Sequence, residues 1–207
     1  LPAAVQVVVE TAGGREWRNR GLMQMSASAY GRAYEDLLRA VRMDPSDPEA
    51  LEGFVQAARV SGHGQDATQL LEQLASANLE NVSLRLELSR LLALEERFDG
   101  AIVAAREAMS LEPSNPTTWE QLATLFGDLG DVTSLAPVVR LMEREDPEGS
   151  ETLYHGAALR FLQQQFTDAA VLGEQVVARD PENGRAHNLL GAAYASLGQV
   201  DRARRSF

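Results

Sequence analysis

Apolar residues along the chain recur at intervals of three and four positions, in blocks that short polar breaks separate. In the segment 82–115, one apolar stripe ends before Glu95-Glu96-Arg97 and a second begins at Phe98. This spacing places apolar side chains on one face of an α-helix. Pro113 then ends the second stripe, because proline disfavours helical geometry in the residue before it. The segment is therefore predicted to form two helices joined by a short turn. The stripes consist of Leu84, Leu88, Leu91 and Leu92, and of Phe98, Ala101, Ile102, Ala105, Ala108 and Met109.

The same pattern returns every 34 residues. In one phase five of six positions are alanine, and in another four of five are proline. Two residue types that keep one period indicate structural repeats. The two series are Ala33, Ala67, Ala101, Leu135, Ala169 and Ala203, and Pro45, Leu79, Pro113, Pro147 and Pro181. The predicted repeats span 14–47, 48–81, 82–115, 116–149 and 150–183, followed by a truncated sixth over 184–207.

These residues resemble the tetratricopeptide repeat family, whose unit is a helix–turn–helix of 34 residues. That family places large apolar, small and aromatic residues in the first helix, alanines in the second and a proline at the end. The resemblance implies an all-α, right-handed superhelical solenoid of helix–turn–helix repeats. The matching residues are Trp119, Leu122, Ala123, Phe126 and Pro147 in one repeat, and Leu190, Gly191, Tyr194 and Ala203 in another.

Small residues are expected where the two helices of one repeat cross closely. A larger side chain there would push the helix axes apart, which costs roughly 1–3 kcal/mol. Gly198 is expected in the turn with a positive φ, which only glycine adopts cheaply. Pro137 departs from the pattern, since it falls inside a predicted second helix. We therefore expect that helix to begin late, with Thr133 or Ser134 as its cap.

Both ends of the sequence also depart from the repeat. Residues 1–13 are expected to form a short helix or linker that stops at Gly13-Gly14 and stacks on the first repeat. Their valine-rich composition is the argument for a strand instead. The chain begins at Leu1 rather than at methionine, and Phe207 falls in the middle of a predicted helix. We therefore expect a fragment of a larger protein, with self-association possible through the open C-terminal repeat.

Composition narrows the classes of function. No run of 18 apolar residues occurs, so direct membrane insertion is not expected, and without cysteine there are no thiolate metal sites. The net charge is −11, and residues 48–149 carry all of it, with 18 acids against seven arginines. An acidic chain repels phosphate backbones, which argues against nucleic acid as a partner. Composition does not distinguish the cytoplasm from the periplasm.

The sequence contains no recognisable catalytic or metal-binding motif. The three histidines, His63, His155 and His187, lack the spacing of metal ligands. Gly62-His63-Gly64 is not preceded by a strand, which a phosphate-binding loop requires. We therefore predict no catalytic residue, no metal and no cofactor. The leading hypothesis is a non-catalytic scaffold for protein–protein interaction. The alternative is a repeat module appended to an enzyme or a membrane protein, which mediates intramolecular docking or self-association.

The resemblance implies a second stripe on the first helices, which lines a concave groove and holds peptides. Tyr154 and Phe161 lie on this stripe, two turns apart, with Ala158 between them. An apolar residue of a partner is expected to dock there, and acids near the groove favour a ligand with a basic flank. The alternative is that both rings pack against the neighbouring repeat. The other candidates are Glu87, Arg90, Glu120, Thr124 and Asp128, and Leu162 and Leu189 are expected to extend the apolar patch.

Overall fold

The fold is entirely helical in the part of the chain that is described. A computed structural model describes the backbone of residues 3–207 and the side chains of residues 13–207. Over this range the chain forms twelve α-helices and no strand, which confirms the predicted all-α fold of helical hairpins. The helices are α1 (Ala3–Ser26), α2 (Tyr30–Met43), α3 (Pro48–Ser61), α4 (Gly64–Ala77), α5 (Val82–Leu94), α6 (Phe98–Leu111), α7 (Pro116–Asp128), α8 (Val132–Glu145), α9 (Ser150–Leu162), α10 (Phe166–Arg179), α11 (Gly184–Ser196) and α12 (Val200–Ser206).

The helices group into two compact units, Leu1–Ser114 and Asn115–Phe207. The first unit holds α1 to α6 and the second holds α7 to α12. Within each unit, consecutive helices pack against one another, and the odd-numbered helices also contact the next odd-numbered helix. This second set of contacts brings α7, α9 and α11 side by side in the second unit.

Helix starts follow the 34-residue period because a capping side chain recurs with it. Helices α3, α5, α7, α9 and α11 begin 34 residues apart. A side-chain oxygen before four of these helices accepts a hydrogen bond from a backbone N–H of the first turn, which otherwise has no partner. The exception is α9, which Gly149 precedes. The four caps are Asp47, Asn81, Asn115 and Asn183.

Small residues lie at the crossing within a helix pair, as the repeat pattern predicts. In the pair α5 and α6, Ser89 Oγ donates a hydrogen bond to the carbonyl oxygen of Ala101 at 2.8 Å. Both residues are fully buried. A side chain can reach the backbone of the facing helix in this way only when both residues are short. Gly198 has a φ of 73° in the turn before α12, which confirms its expected conformation.

The expected late start of α8 is wrong. The helix begins at Val132, and Asp131 caps it by accepting a hydrogen bond from Ser134 N at 3.1 Å. Pro137 therefore lies inside the helix, where it removes the N–H that would bond to the carbonyl of Thr133. Both Pro137 and Thr133 are exposed, so water reaches this side of the helix. An earlier cap was available at Asp131, and it determines where the helix begins.

The expected stop at Gly13-Gly14 is also wrong. Helix α1 runs without interruption from Ala3 to Ser26 and passes through both glycines. The glycines contribute to packing, because a Cβ built on Gly13 would lie 2.9 Å from Met43 Cε at the end of α2. Residues 3–13 are helical, so they do not form a strand, whereas Leu1 and Pro2 lie outside the described residues.

Candidate functional site

Side chains of α7, α9 and α11 enclose a cavity of about 230 Å³ in the second unit. We call it the α7–α9–α11 pocket. It brings together five of the eight predicted site residues, together with both residues that were expected to extend the apolar patch. Its lining consists of Ala123, Thr124, Gly127, Asp128, Tyr154, His155, Ala158, Phe161, Leu162, Arg185 and Leu189.

Two aromatic rings form walls of the pocket and also pack within the unit. Tyr154 and Phe161 are both half-buried. Phe161 contacts Phe166 edge to face, with ring centroids 5.4 Å apart and planes at 62°, and it packs against the core around Leu190. Tyr154 packs against the core that contains Leu153. The two alternatives from the sequence are therefore not exclusive, since each ring lines the cavity and supports its neighbours.

Small residues leave the space that the rings border. Ala158 lies between Tyr154 and Phe161 on α9, and Ala123 and Gly127 line the cavity from α7. A Cβ built on Gly127 meets no atom within 4 Å. Side chains longer than these would occupy the cavity, so its volume depends directly on the small residues.

Arg185 forms the polar wall of the pocket opposite α7. Its guanidinium carbon lies 4.2 Å from the centroid of the Tyr154 ring, a distance at which a cation is attracted to the ring face. Its Nη1 lies 3.6 Å from Glu151 Oε2. The stripe pattern includes Arg185, but nothing in the sequence alone indicated that it stacks on Tyr154.

His155 brings a buried polar atom without a partner to the pocket. The residue is 2% exposed, and among the described residues no group forms a hydrogen bond with its Nε2. Glu151 Oε2 lies 3.6 Å from this nitrogen, which is too long for a hydrogen bond. Burial, followed by the positive charge of Arg185, lowers the pKa of His155 to about 3. The imidazole is therefore neutral near pH 7. Sequence reasoning considered His155 only as a metal ligand and missed this role.

Asp128 places a carboxylate at the edge of the pocket. It is the last residue of α7. Partial burial raises the pKa of Asp128, and the charge of Arg185 opposes that change. Within the described part of the chain, no hydrogen bond or ion pair is made by this carboxylate. A negative side chain at the C-terminal end of a helix also meets the negative end of the helix dipole.

The other three predicted residues lie elsewhere. Glu120 borders a second cavity of about 210 Å³. Glu87 and Arg90 belong to the first unit, where Arg90 Nη1 donates a hydrogen bond to the Glu87 carboxylate. Glu87 is buried, and burial raises its pKa despite the opposing effect of Arg90. This pair carries no net charge, so it does not supply the open negative charge that the sequence suggested.

Two further searches of the described residues gave no site. No three acidic or histidine side chains lie close enough together there to hold a metal ion. In the same range, no helix combines the length and the apolar character that crossing a membrane requires.

The arrangement of helices agrees with comparisons to known proteins. Two family models, both described as tetratricopeptide repeat, match residues 52–116 and 160–206. The chain belongs to the tetratricopeptide repeat family. Its fold is similar to that of a tetratricopeptide repeat protein from Parabacteroides merdae, with a TM-score of 0.73, 13% identity, and coverage of 94% of this chain and 77% of the other. It is also similar to YrrB, with a TM-score of 0.57, 18% identity, and coverage of 82% and 88%.

A curated relative is much longer than this chain. The cellulose synthase operon protein C of Pseudomonas fluorescens is 25% identical over 138 residues, which are 62% of this chain and 11% of that protein. The chain therefore spans only a small part of the relative that it matches. Tetratricopeptide repeat proteins are in general non-catalytic scaffolds for protein–protein interaction, and the fold described here is of that kind.

Proposed function

We propose that the α7–α9–α11 pocket binds an apolar side chain of a partner peptide or protein segment. The observation that carries this proposal is an open cavity bordered by two aromatic rings and floored by small residues. Sites for small molecules usually have volumes of about 300–1,000 Å³. The cavity of about 230 Å³ is smaller, and it suits one or two side chains of a longer ligand.

The physical character of the lining supports this proposal. Tyrosine and other aromatic side chains in desolvated pockets dominate the energy of many protein interfaces. Tyr154 is also held in place by Arg185 on its face and by His155 at 5.1 Å between ring centroids. A ring that is already ordered loses little conformational entropy on binding. YrrB, which shares the fold, is described as having an unusual peptide-binding site.

Removing the rings is a poor test, because both also pack within the unit. Replacing both Tyr154 and Phe161 by alanine would remove core contacts, and large-to-small changes cost about 3–5 kcal/mol for a fully buried phenylalanine. A filled pocket is a sharper test. Gly127→Leu places a side chain in the cavity from a position where a Cβ meets no atom within 4 Å. The change should also favour the helix, since glycine is about 1 kcal/mol worse than alanine in a helix interior.

We expect Gly127→Leu to abolish peptide capture while its melting temperature stays equal to that of the wild type or rises. The measurement is selection of a phage-displayed library of random dodecapeptides on the immobilised 207-residue chain. The wild type should enrich peptides with an aromatic or large aliphatic residue. Gly31→Leu is the matched control, because Gly31 is an exposed helical glycine of α2 with the same open surroundings. Equal enrichment by the wild type and Gly127→Leu would place the binding surface elsewhere.

A further inference from the structure

The polar edge of the α7–α9–α11 pocket carries chemistry that an apolar side chain alone does not use. Four charged or polar residues accompany its apolar lining: Thr124, Asp128, His155 and Arg185. In binding pockets, a few polar groups placed among apolar ones fix the orientation and identity of the ligand. The charge of these groups therefore indicates what should stand next to the apolar residue in the partner.

The positive charge of Arg185 is already balanced within the protein. Its guanidinium lies over the Tyr154 ring and 3.6 Å from the carboxylate of Glu151. Glu151 also lies 3.6 Å from His155 Nε2, but His155 is neutral and needs no counter-charge. The acid and the base on this side of the pocket therefore offset each other.

The negative charge of Asp128 is not balanced in the same way. Its carboxylate has no ion-pair partner in the described part of the chain, although Arg185 is near enough to influence its pKa. The partial negative charge at the C-terminal end of α7 falls at the same place. A helix normally carries cations in its last turn, so an acid here disfavours the free protein slightly and favours any cation that arrives.

We propose that the pocket recognises a peptide segment in which a lysine or arginine lies close to the apolar residue, and that Asp128 binds this cation. This inference rests on the proposed function, because it assigns a second element to the same ligand. The apolar residue would fill the space between Tyr154, Phe161 and Gly127. The basic residue would then meet an acid that the protein leaves without a partner.

His155 supports a polar ligand at this site by an independent route. A buried nitrogen without a hydrogen bond costs about 1–3 kcal/mol, and such atoms are rare in folded proteins. A polar atom of the bound segment would remove this cost if it came within reach of Nε2. A purely apolar ligand would leave the cost in place.

The test compares the peptides that the dodecapeptide library yields on three forms of the whole chain. The wild type should enrich peptides in which arginine or lysine lies within a few residues of the apolar residue. Asp128→Asn should lose the enrichment of basic residues and keep that of apolar residues. The matched control is Asp168→Asn, which removes one exposed acid of α10 outside the pocket and should keep both enrichments.

A synthetic peptide from the wild-type pool then gives the magnitude. We expect its affinity to fall about threefold to tenfold on Asp128→Asn, as for a partly exposed ion pair. A copy of the peptide with glutamine in place of the basic residue should bind both forms equally. The preference should also shrink in 0.5 M salt, because mobile ions screen exposed charges.

The outcomes separate the two proposals. Enrichment of apolar residues without basic ones, or a basic preference that survives Asp128→Asn, overturns the cation site and leaves the apolar pocket in place. Absence of any enriched peptide overturns both. Loss of basic enrichment on Asp168→Asn as well would show that the overall charge of the chain, rather than Asp128, attracts the cation.

Discussion

At the scale of single residues, the pocket differs from the rest of the second unit in the polar atoms that it leaves without partners. His155 has a buried nitrogen without a hydrogen bond, and Asp128 has a carboxylate without an ion pair in the described chain. Elsewhere in the unit, comparable groups are paired: Tyr194 Oη donates a hydrogen bond to Glu174, and Arg202 donates to the same carboxylate at 2.7 Å. Unpaired groups that lie together beside a cavity are therefore more informative than either would be alone.

The buried, neutral His155 should make the stability of the second unit depend on pH. The unfolded chain takes up a proton at this residue near pH 6.5, whereas the folded chain does so only at about 3. The stabilising effect of the neutral ring is fully present above pH 6.5, and it decreases as the pH falls toward 3. The slope is about 1.4 kcal/mol per pH unit, because one proton is taken up on unfolding.

We expect the wild type to lose about 2 kcal/mol more unfolding free energy between pH 7.5 and 5 than His155→Phe. Phenylalanine keeps an aromatic ring beside Tyr154 and cannot be protonated. The measurement is urea unfolding followed by the fluorescence of Trp119 in the second unit, in a Trp17→Phe background, since the chain has only two tryptophans. Parallel pH curves for the two proteins would contradict a buried, neutral histidine.

At the scale of helices, local signals determine where each helix begins. Asp131 caps α8 although Pro137 follows within the helix, which shows that a cap determines the start even when the interior is unfavourable. The interior proline has a cost, because it removes one backbone hydrogen bond and crowds the preceding turn. Its side chain is exposed, so no core packing compensates for that cost.

We therefore expect Pro137→Ala to stabilise the second unit by about 1–3 kcal/mol, somewhat less than the full cost of an interior proline, since proline also restricts the unfolded chain. The matched control is Pro116→Ala, at the first position of α7. Proline is well suited to that position, so the control should gain nothing. Both are measured by urea unfolding with Trp119 as the reporter. A gain of equal size in the control would show that proline content, rather than position, is responsible.

At the scale of the whole molecule, charge narrows the class of partner. The chain has 30 acidic residues and 19 arginines, with a net charge of −11. Uncompensated acids repel a phosphate backbone over about 10 Å at moderate salt. The same acids favour ligands with basic groups, which agrees with the cation proposed for Asp128.

We expect no binding to a fluorescein-labelled 20-nucleotide RNA or DNA duplex, even at 50 mM salt and protein concentrations of about 100 µM. Fluorescence anisotropy of the nucleic acid is the measurement. A rise in anisotropy that weakens steeply with added salt would contradict the prediction, because such dependence is typical of contacts between arginines and phosphates.

The sequence by itself determined the helix pairs, their period and the small residues at the crossing of Ser89 and Ala101. These features depend on spacing, caps and turns, which act over a few residues. The stripe pattern also selected Tyr154, Ala158 and Phe161, because residues two turns apart on one helix share a face. It could not show that Glu87 is neutralised by Arg90, or that α1 continues through Gly13, because both depend on how closely neighbouring helices approach.

Only the tertiary structure decided which parts of the stripe surround a cavity. Thr124 and Asp128 come from α7, Tyr154 from α9 and Arg185 from α11, and their meeting depends on the packing of three helices that are distant in sequence. The same packing buries His155 without a partner and holds Arg185 over Tyr154 rather than against Asp128. Periodicity assigns a residue to a face of its own helix, whereas the partners of its polar atoms are chosen by the neighbouring helices.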